Sequence, residues 1–250
     1  MAEFVSGRVR LHYALAGPAS GSPIVLGHGF CSDHALNWRG TRWQETLTAA
    51  SFRVIGLDSR GHGASQKPHD PAAYSCPQMA DDVVRLLDHL GLERAHYLGY
   101  SMGARIGLAA ASRRPERLRR MVLGGLSSWG GNDRAELIAR RFRGDTGIRD
   151  PEAETYFAFA SARPLNDLEA LACCVLGEQP PLLEAELGRI RVPALLVAGD
   201  GDPIAHDAET IAALMPNARY VELKGRDHMN AVPARAFKDA ALAFLTEDSS

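Results

Sequence analysis

Five residues near the middle of the chain, Gly99-Tyr100-Ser101-Met102-Gly103, restrict the fold more than any other segment. An apolar run, residues 95–98, precedes them, and a glycine- and alanine-rich stretch, residues 102–112, follows. The pattern predicts a buried strand that turns at once into a helix. A reversal within one or two residues leaves its tip, Ser101, in a strained conformation. Glycines two positions to either side lack the Cβ atoms that would collide in so tight a turn. The helix then directs its N-terminal amides and the positive end of its dipole at the serine. In this strand–turn–helix context a G-x-S-x-G pattern exposes a nucleophile.

The rest of the chain repeats the alternation of strand and helix. Residues 8–16 alternate and predict an early antiparallel strand, while residues 23–26, 53–57, 118–123, 194–198 and 220–223 are short apolar runs expected of buried strands. Residues 77–90 predict a helix capped by Ser75, opened by Pro77 and closed by Gly91, with Met79, Val83, Leu86, Leu87 and Leu90 as its apolar stripe. A last helix is expected over residues 237–245. Such alternation implies a parallel sheet covered on both faces. Residues 127–189 break the rhythm, with helical patterns and loops only, and read as a helical cap insertion. The expected organisation is a core of residues 1–126 and 190–250, with the cap at 127–189.

Composition narrows the partners. The 250 residues are 46% hydrophobic and 23% charged, with a net charge of -2, which gives no global reason to expect nucleic acid or an anionic membrane. The basic run from Arg113 to Arg120 has no interleaved aromatics and reads as a solvated helix end. No apolar leader opens the chain, and no stretch approaches the ~18 apolar residues of a membrane span. Cys31, Cys76, Cys173 and Cys174 show no framework spacing, so reduced thiols and a cytoplasmic location are expected. Cys31 reads as a small buried side chain, since no histidine is placed to activate it as clearly as one is for Ser101.

A serine hydroxyl needs a base, itself oriented by an acid. On a sheet of this kind both belong on later loops, in the order Ser, Asp or Glu, His. The run Leu195-Leu196-Val197-Ala198-Gly199 empties into Asp200-Gly201-Asp202, and Asp202 is the favoured acid, with Asp200 as the alternative. The last strand leads to Asp227-His228, and His228 is the expected base. His28 and His62 lie in glycine-flanked loops and read as backbone braces. The oxyanion formed in acyl transfer needs amide donors. Met102 supplies one, and Phe30 of Gly27-His28-Gly29-Phe30 supplies the other, with His28 and Gly29 shaping the loop. His28, Asp33 and His34 are close in sequence but lack metal-ligand spacing, so no metal is expected.

Taken together, Gly27-His28-Gly29-Phe30, Asp58-Ser59-Arg60-Gly61-His62-Gly63-Ala64-Ser65, Gly99-Tyr100-Ser101-Met102-Gly103, the Gly199-to-Asp202 turn and Asp227-His228 resemble the α/β-hydrolase superfamily. The resemblance spans nearly the whole chain in the family's order. It implies an α/β fold with a predominantly parallel twisted sheet of about eight strands flanked by helices, a triad of Ser101, Asp202 and His228, and no cofactor. The Asp58-to-Ser65 segment is similar to a structural turn of that family. Relatives that act as dehalogenases or epoxide hydrolases carry Asp where Ser101 stands, so Ser101 argues against both.

The region that selects a substrate is the least legible. Trp129, Phe142, Tyr156, Phe157 and Phe159 fall in the cap and Trp38 follows the oxyanion loop; of these, Trp38, Trp129, Tyr156 and Phe159 are the candidate substrate contacts, although aromatics in a cap are often its core. As a set they suggest a small to medium, partly apolar substrate, with a carboxylic ester or lactone as the first reading. Arg105 sits where a similar synthase of menaquinone assembly has a substrate-binding arginine; the alternative is a helix arginine facing outward. That arginine keeps elimination open beside hydrolysis of a carbon–carbon bond next to a ketone. A non-catalytic ligand receptor is the rival from another class.

Overall fold

The computed structural model describes residues 2–128 and 134–247. An eight-stranded sheet runs in the order β1 (Ala2–Ser6), β2 (Val9–Ala16), β4 (Phe52–Leu57), β3 (Ser22–Gly27), β5 (Ala95–Tyr100), β6 (Leu118–Gly124), β7 (Ala194–Gly199), β8 (Ala218–Leu223). β1 pairs with β2, and β2 with β4, antiparallel; every later pairing, from β3–β4 to β7–β8, is parallel. β1 was not anticipated. It is five residues long, and Gly7 with φ +63° turns it back onto β2.

Successive side chains along the central strands enter different layers. On β5, Ala95 and Tyr97 join one cluster and Leu98 and Tyr100 the other; on β7, Ala194 and Leu196 part from Leu195 and Val197 in the same way. Strands apolar on both faces are what a sheet covered by helices on both sides requires. One face is covered by α2 (Cys76–His89), α3 (Met102–Arg113) and α8 (Ala208–Leu214), and the other by α1 (Trp43–Ala49) and α9 (Arg235–Leu245). Helix α2 begins as the spacing predicts. Ser75 Oγ accepts the Gln78 amide at 3.3 Å, and Gln78 Oε1 accepts the Ser75 amide. Its Met79, Val83, Leu86 and Leu87 are buried, each contributing roughly 2 kcal/mol of apolar transfer.

Between β6 and β7 lie α4 (Ala135–Phe142), α5 (Pro151–Ser161), α6 (Leu168–Val175) and the single turn α7 (Glu184–Leu187), with no strand among the described residues. Asp150 and Asp167 cap α5 and α6 by accepting amides at their first turns. Ile138, Phe142, Ile148 and Leu171 form a small core of their own, completed by Cys31 from the loop after β3. The basic run is tied into the molecule: Arg113 meets Asp81, Arg117 meets Asp88, and Arg120 meets Glu247. No described helix is long and apolar enough to cross a membrane.

Candidate active site

Phe30, Ser101, Asp202 and His228 follow the carboxyl ends of β3, β5, β7 and β8, where an open α/β sheet leaves a crevice. β5 runs into Ser101, whose φ of +52° and ψ of -114° mark a strained tip. Its amide donates to Gly124 O at 2.8 Å, so β6 holds the turn in place. A Cβ on Gly103 would collide with the Gly27 carbonyl, and one on Gly99 with the carbonyl of Gly103. The Tyr97 hydroxyl donates to that same Gly103 carbonyl at 2.7 Å. The sharp turn is therefore held against β3, β5 and β6 at once. Met102 opens α3, as the pattern predicts.

After β7 the two aspartates diverge. Asp202 Oδ2 lies 2.8 Å from His228 Nδ1, and Asp202 Oδ1 accepts the amides of Ile204 and Ala205 at 2.9 and 3.0 Å. Asp200 instead accepts the amides of Gly225 and Arg226, bracing the loop that leads to His228. The Asp202 side chain is fully enclosed. Burial alone would raise its pKa, but the His228 contact and the two amides outweigh it, and the carboxyl is held below its ordinary value. His228 Cε1 packs over Gly125, one residue past the Gly124 carbonyl that anchors Ser101. Among the described residues Ser101 Oγ has no hydrogen-bond partner. Contacts of this kind commonly tighten only when substrate is bound.

The loop after β3 comes in beside Ser101, with a Cβ at Gly29 standing 3.7 Å from the serine Cβ. His28 braces it: Nδ1 lies 2.8 Å from the Gly29 carbonyl, and Nε2 accepts the Ser59 amide at 3.0 Å. Burial lowers the His28 pKa and favours the neutral ring that this pairing needs. Phe30 projects into the helical insertion, 5.6 Å from the Tyr156 ring and 6.2 Å from Phe142. Burial pushes the Tyr156 phenol up, and the charge of Glu152 adds to it. Phe159 packs on the insertion's own core. Cys31 is fully enclosed, and burial with Cys174 alongside pushes its thiol pKa well up, away from a nucleophilic thiolate.

Two expectations are corrected. Trp38 does not face a substrate space: a π-turn, Ala35–Arg39, directs it into the core, 1% exposed and edge-on to Trp43 at 5.9 Å. Arg105 neither faces outward nor offers its guanidinium to a ligand. Its Nη1 and Nη2 donate to the carbonyls of Ser127 and Pro180, at 3.0 and 2.7 Å, on either side of α4, α5 and α6. Trp129 lies outside the described residues.

Several neighbours of the site carried no signal in the sequence. Asn37 Oδ1 accepts the Gly29 amide at 3.1 Å. Asn166 Nδ2 donates to the Cys31 carbonyl, and Arg163 pairs with the buried Asp33, so the α5–α6 turn clasps the loop that follows Phe30. Each is a solitary polar residue without periodicity or motif spacing.

His12, His34 and Asp58 converge in the interior and could present ligand atoms to a cation. Each Asp58 oxygen, however, already accepts two donors: the Nδ1 and amide of His34 on one, the Nδ1 of His12 and the Ala64 amide on the other. The carboxylate is saturated without an ion. Burial opposes its charge, but these donors and the nearby His28 hold its pKa far below the usual range. Two surface hollows, of about 440 and 580 Å³, are lined by Arg117 and its neighbours and by Phe52, His96 and their neighbours. Neither is lined by Ser101, Asp202 or His228.

A strained serine between a parallel strand and a helix, with an Asp–His pair from later strands beside it, defines a class of protein, and comparison agrees. Residues 22–143 match the family model for the alpha/beta hydrolase fold, and the chain belongs to that family. It is 30% identical to 3-oxoadipate enol-lactonase 2 of Acinetobacter baylyi, over 95% of this chain and 93% of that one. A Pseudomonas savastanoi protein with the provisional name carbamate hydrolase RutD is also 30% identical, over 81% of this chain and 88% of its own. The enol-lactonase structure from Burkholderia xenovorans superimposes with a TM-score of 0.83 at 27% identity, covering 98% of this chain and all of that one.

Proposed function

We propose that the chain is a serine hydrolase that cleaves a carboxylic ester or lactone of a small to medium, partly apolar substrate through an acyl-enzyme. The observation that carries this reading is the Asp202–His228 contact at 2.8 Å beside the strained Ser101. With Nδ1–H donating to the carboxylate, the His228 ring presents a lone pair at Nε2. That nitrogen takes the Ser101 proton as the hydroxyl attacks the carbonyl, and Asp202 stabilises the resulting imidazolium. Asp202 is ready for this because its pKa is held low. The oxyanion is met by the amides of Met102 and Phe30, with the N-terminal end of α3 adding its dipole. Each donor is worth roughly 3 kcal/mol. The same histidine then returns its proton to the leaving oxygen and activates the water that releases the acid.

The helices between β6 and β7 act in this reading as a cap over the crevice, with Tyr156 meeting Phe30 of the oxyanion loop at 5.6 Å between rings. The lactone arm is favoured by the likeness to two enol-lactonases. The elimination reading rested on Arg105, whose Nη1 and Nη2 are engaged by the carbonyls of Ser127 and Pro180, and it has no other support. The test is turnover of 4-nitrophenyl acetate, an aryl carbamate and an enol-lactone, with fluorophosphonate labelling in parallel. Rapid lactone or ester turnover, lost with the label in Ser101→Ala, is the expected result. A well-folded protein that turns over none of the three sinks the proposal, and a receptor using the same pocket would then be the better account.

A further inference from the structure

Tyr100, the residue before Ser101, is 4% exposed, and its ring runs from the turn to the loop that carries His228. The phenol donates to the His228 carbonyl at 2.6 Å. The two rings lie 5.2 Å apart, inclined at 49°. Their shared space is hollowed out by two glycines at the end of β6. A Cβ on Gly124 would stand 2.7 Å from Tyr100 Cδ2 and from Phe237 Cζ. A Cβ on Gly125, where φ is +62°, would stand 2.9 Å from His228 Cε1 and 3.0 Å from Tyr100 Cζ.

Asp200 braces the loop at Gly225 and Arg226, but that grip stops two residues short of residue 228. Residues 224–227 and 229–230 are exposed, and Asp227 spends its carboxylate on Met229 and Asn230 of the same loop. Asp202 grips the His228 ring at Nδ1, which fixes one point of the side chain but not the backbone that bears it. Tyr100 supplies that second point from the strand that carries the serine. Burial, with Asp202 and Asp227 nearby, pushes the phenol pKa up, so its hydroxyl remains a donor throughout the working pH range.

We infer that Tyr100 is a positioning residue for the histidine base. It joins the nucleophile's turn to the base's loop as one unit, in a hollow that Gly124 and Gly125 keep open. The inference rests on His228 acting as the base. Tyr100→Phe keeps the ring and removes only the hydroxyl, so packing is preserved while the tie to the His228 carbonyl is lost. With 4-nitrophenyl acetate, kcat should fall about tenfold, the worth of one oriented hydrogen bond, with KM changed by less than about twofold. Fluorophosphonate labelling of Ser101 should slow by the same factor, and the far-downfield proton resonance of the His228–Asp202 bond should broaden. Gly125→Ala, which drives a methyl into the imidazole, should lose about a hundredfold. All rates are normalised to active sites titrated with the probe, so misfolded protein does not count. Wild-type kcat and labelling in Tyr100→Phe, while Ser101→Ala and His228→Ala abolish both, overturns the inference and leaves the proposed function standing. Undiminished turnover in His228→Ala overturns both.

Discussion

At the carboxyl edge of the sheet, geometry is decided by atoms that are missing. Gly103 abuts a carbonyl of β3, Gly99 abuts Gly103, and Gly125 lies under the His228 ring. In the insertion between β6 and β7 the deciding contacts are of another kind: apolar side chains around Ile138, Phe142 and Leu171, and carboxylate caps at Asp150 and Asp167. A methyl added at Gly99 or Gly103 meets backbone, which has nowhere to go, and one at Gly125 meets the His228 and Tyr100 rings. Apolar packing of similar volume can be rearranged at modest cost. The first region tolerates almost no substitution and is suited to holding reacting groups; the second can vary, and is suited to choosing among substrates.

The contrast can be broken at its strongest point by Ser101→Ala, which should reduce ester turnover by at least about a thousandfold. Circular dichroism checks that the fold survives. Next comes the pair of aspartates that share one turn. Asp202→Asn should cost about 10³-fold or more in kcat, because the amide cannot hold the same tautomer of His228. Asp200→Asn, which touches only the Gly225 and Arg226 amides, should cost about tenfold or less. Equal losses would mean the two carboxylates are not divided between base and loop as the distances suggest.

Substitutions in the insertion should act on preference rather than on chemistry. Phe159→Ala and Tyr156→Phe are expected to alter the ratio of kcat/KM between short and long acyl esters by about tenfold or less, with fluorophosphonate labelling within about threefold of wild type. A collapse of labelling in Tyr156→Phe would instead move that residue into the acid–base machinery.

The smallest effect concerns pH and stability. Burial lowers the His62 pKa to about 3. In the unfolded chain the same ring takes up a proton near pH ~6.5. Between those values the unfolded state binds the extra proton, so His62 contributes stability that is complete above about pH 6.5 and is lost as pH falls. His96, lowered to about 4 by burial and by Arg119, Arg120 and Arg94, acts in the same direction. His62→Gln should therefore flatten the acid limb of a urea-unfolding series by about 1.4 kcal/mol per pH unit. An unchanged slope would show that the ring is solvated in the folded protein.

How much of this was readable in advance follows the same divide. The strand after residue 95, the glycines around Ser101 and the helix beyond it were legible because each is demanded by local geometry. The cap at Ser75 was similarly visible, and so were the apolar central strands. Residue type alone does not distinguish an indole in the core from one in a pocket, and the π-turn that buries Trp38 has no sequence signature. The charge of Arg105 is plain in the sequence, while its role depends on two carbonyls 22 and 75 positions away. Asn37, Arg163 and Asn166 were invisible for the same reason. Their partners are set by tertiary structure, and nothing periodic announces them.

The grip of Arg105 has a consequence for how such a protein can change over generations. A single planar guanidinium touches both Ser127 and Pro180, so the chain departs for α4, α5 and α6 and returns from them almost at one point. An excursion whose ends meet in this way closes with an entropic cost that grows only logarithmically with its length. A lineage can therefore lengthen, shorten or exchange the intervening helices as a cassette, presenting new surfaces to the same serine while the strands beneath are inherited unaltered.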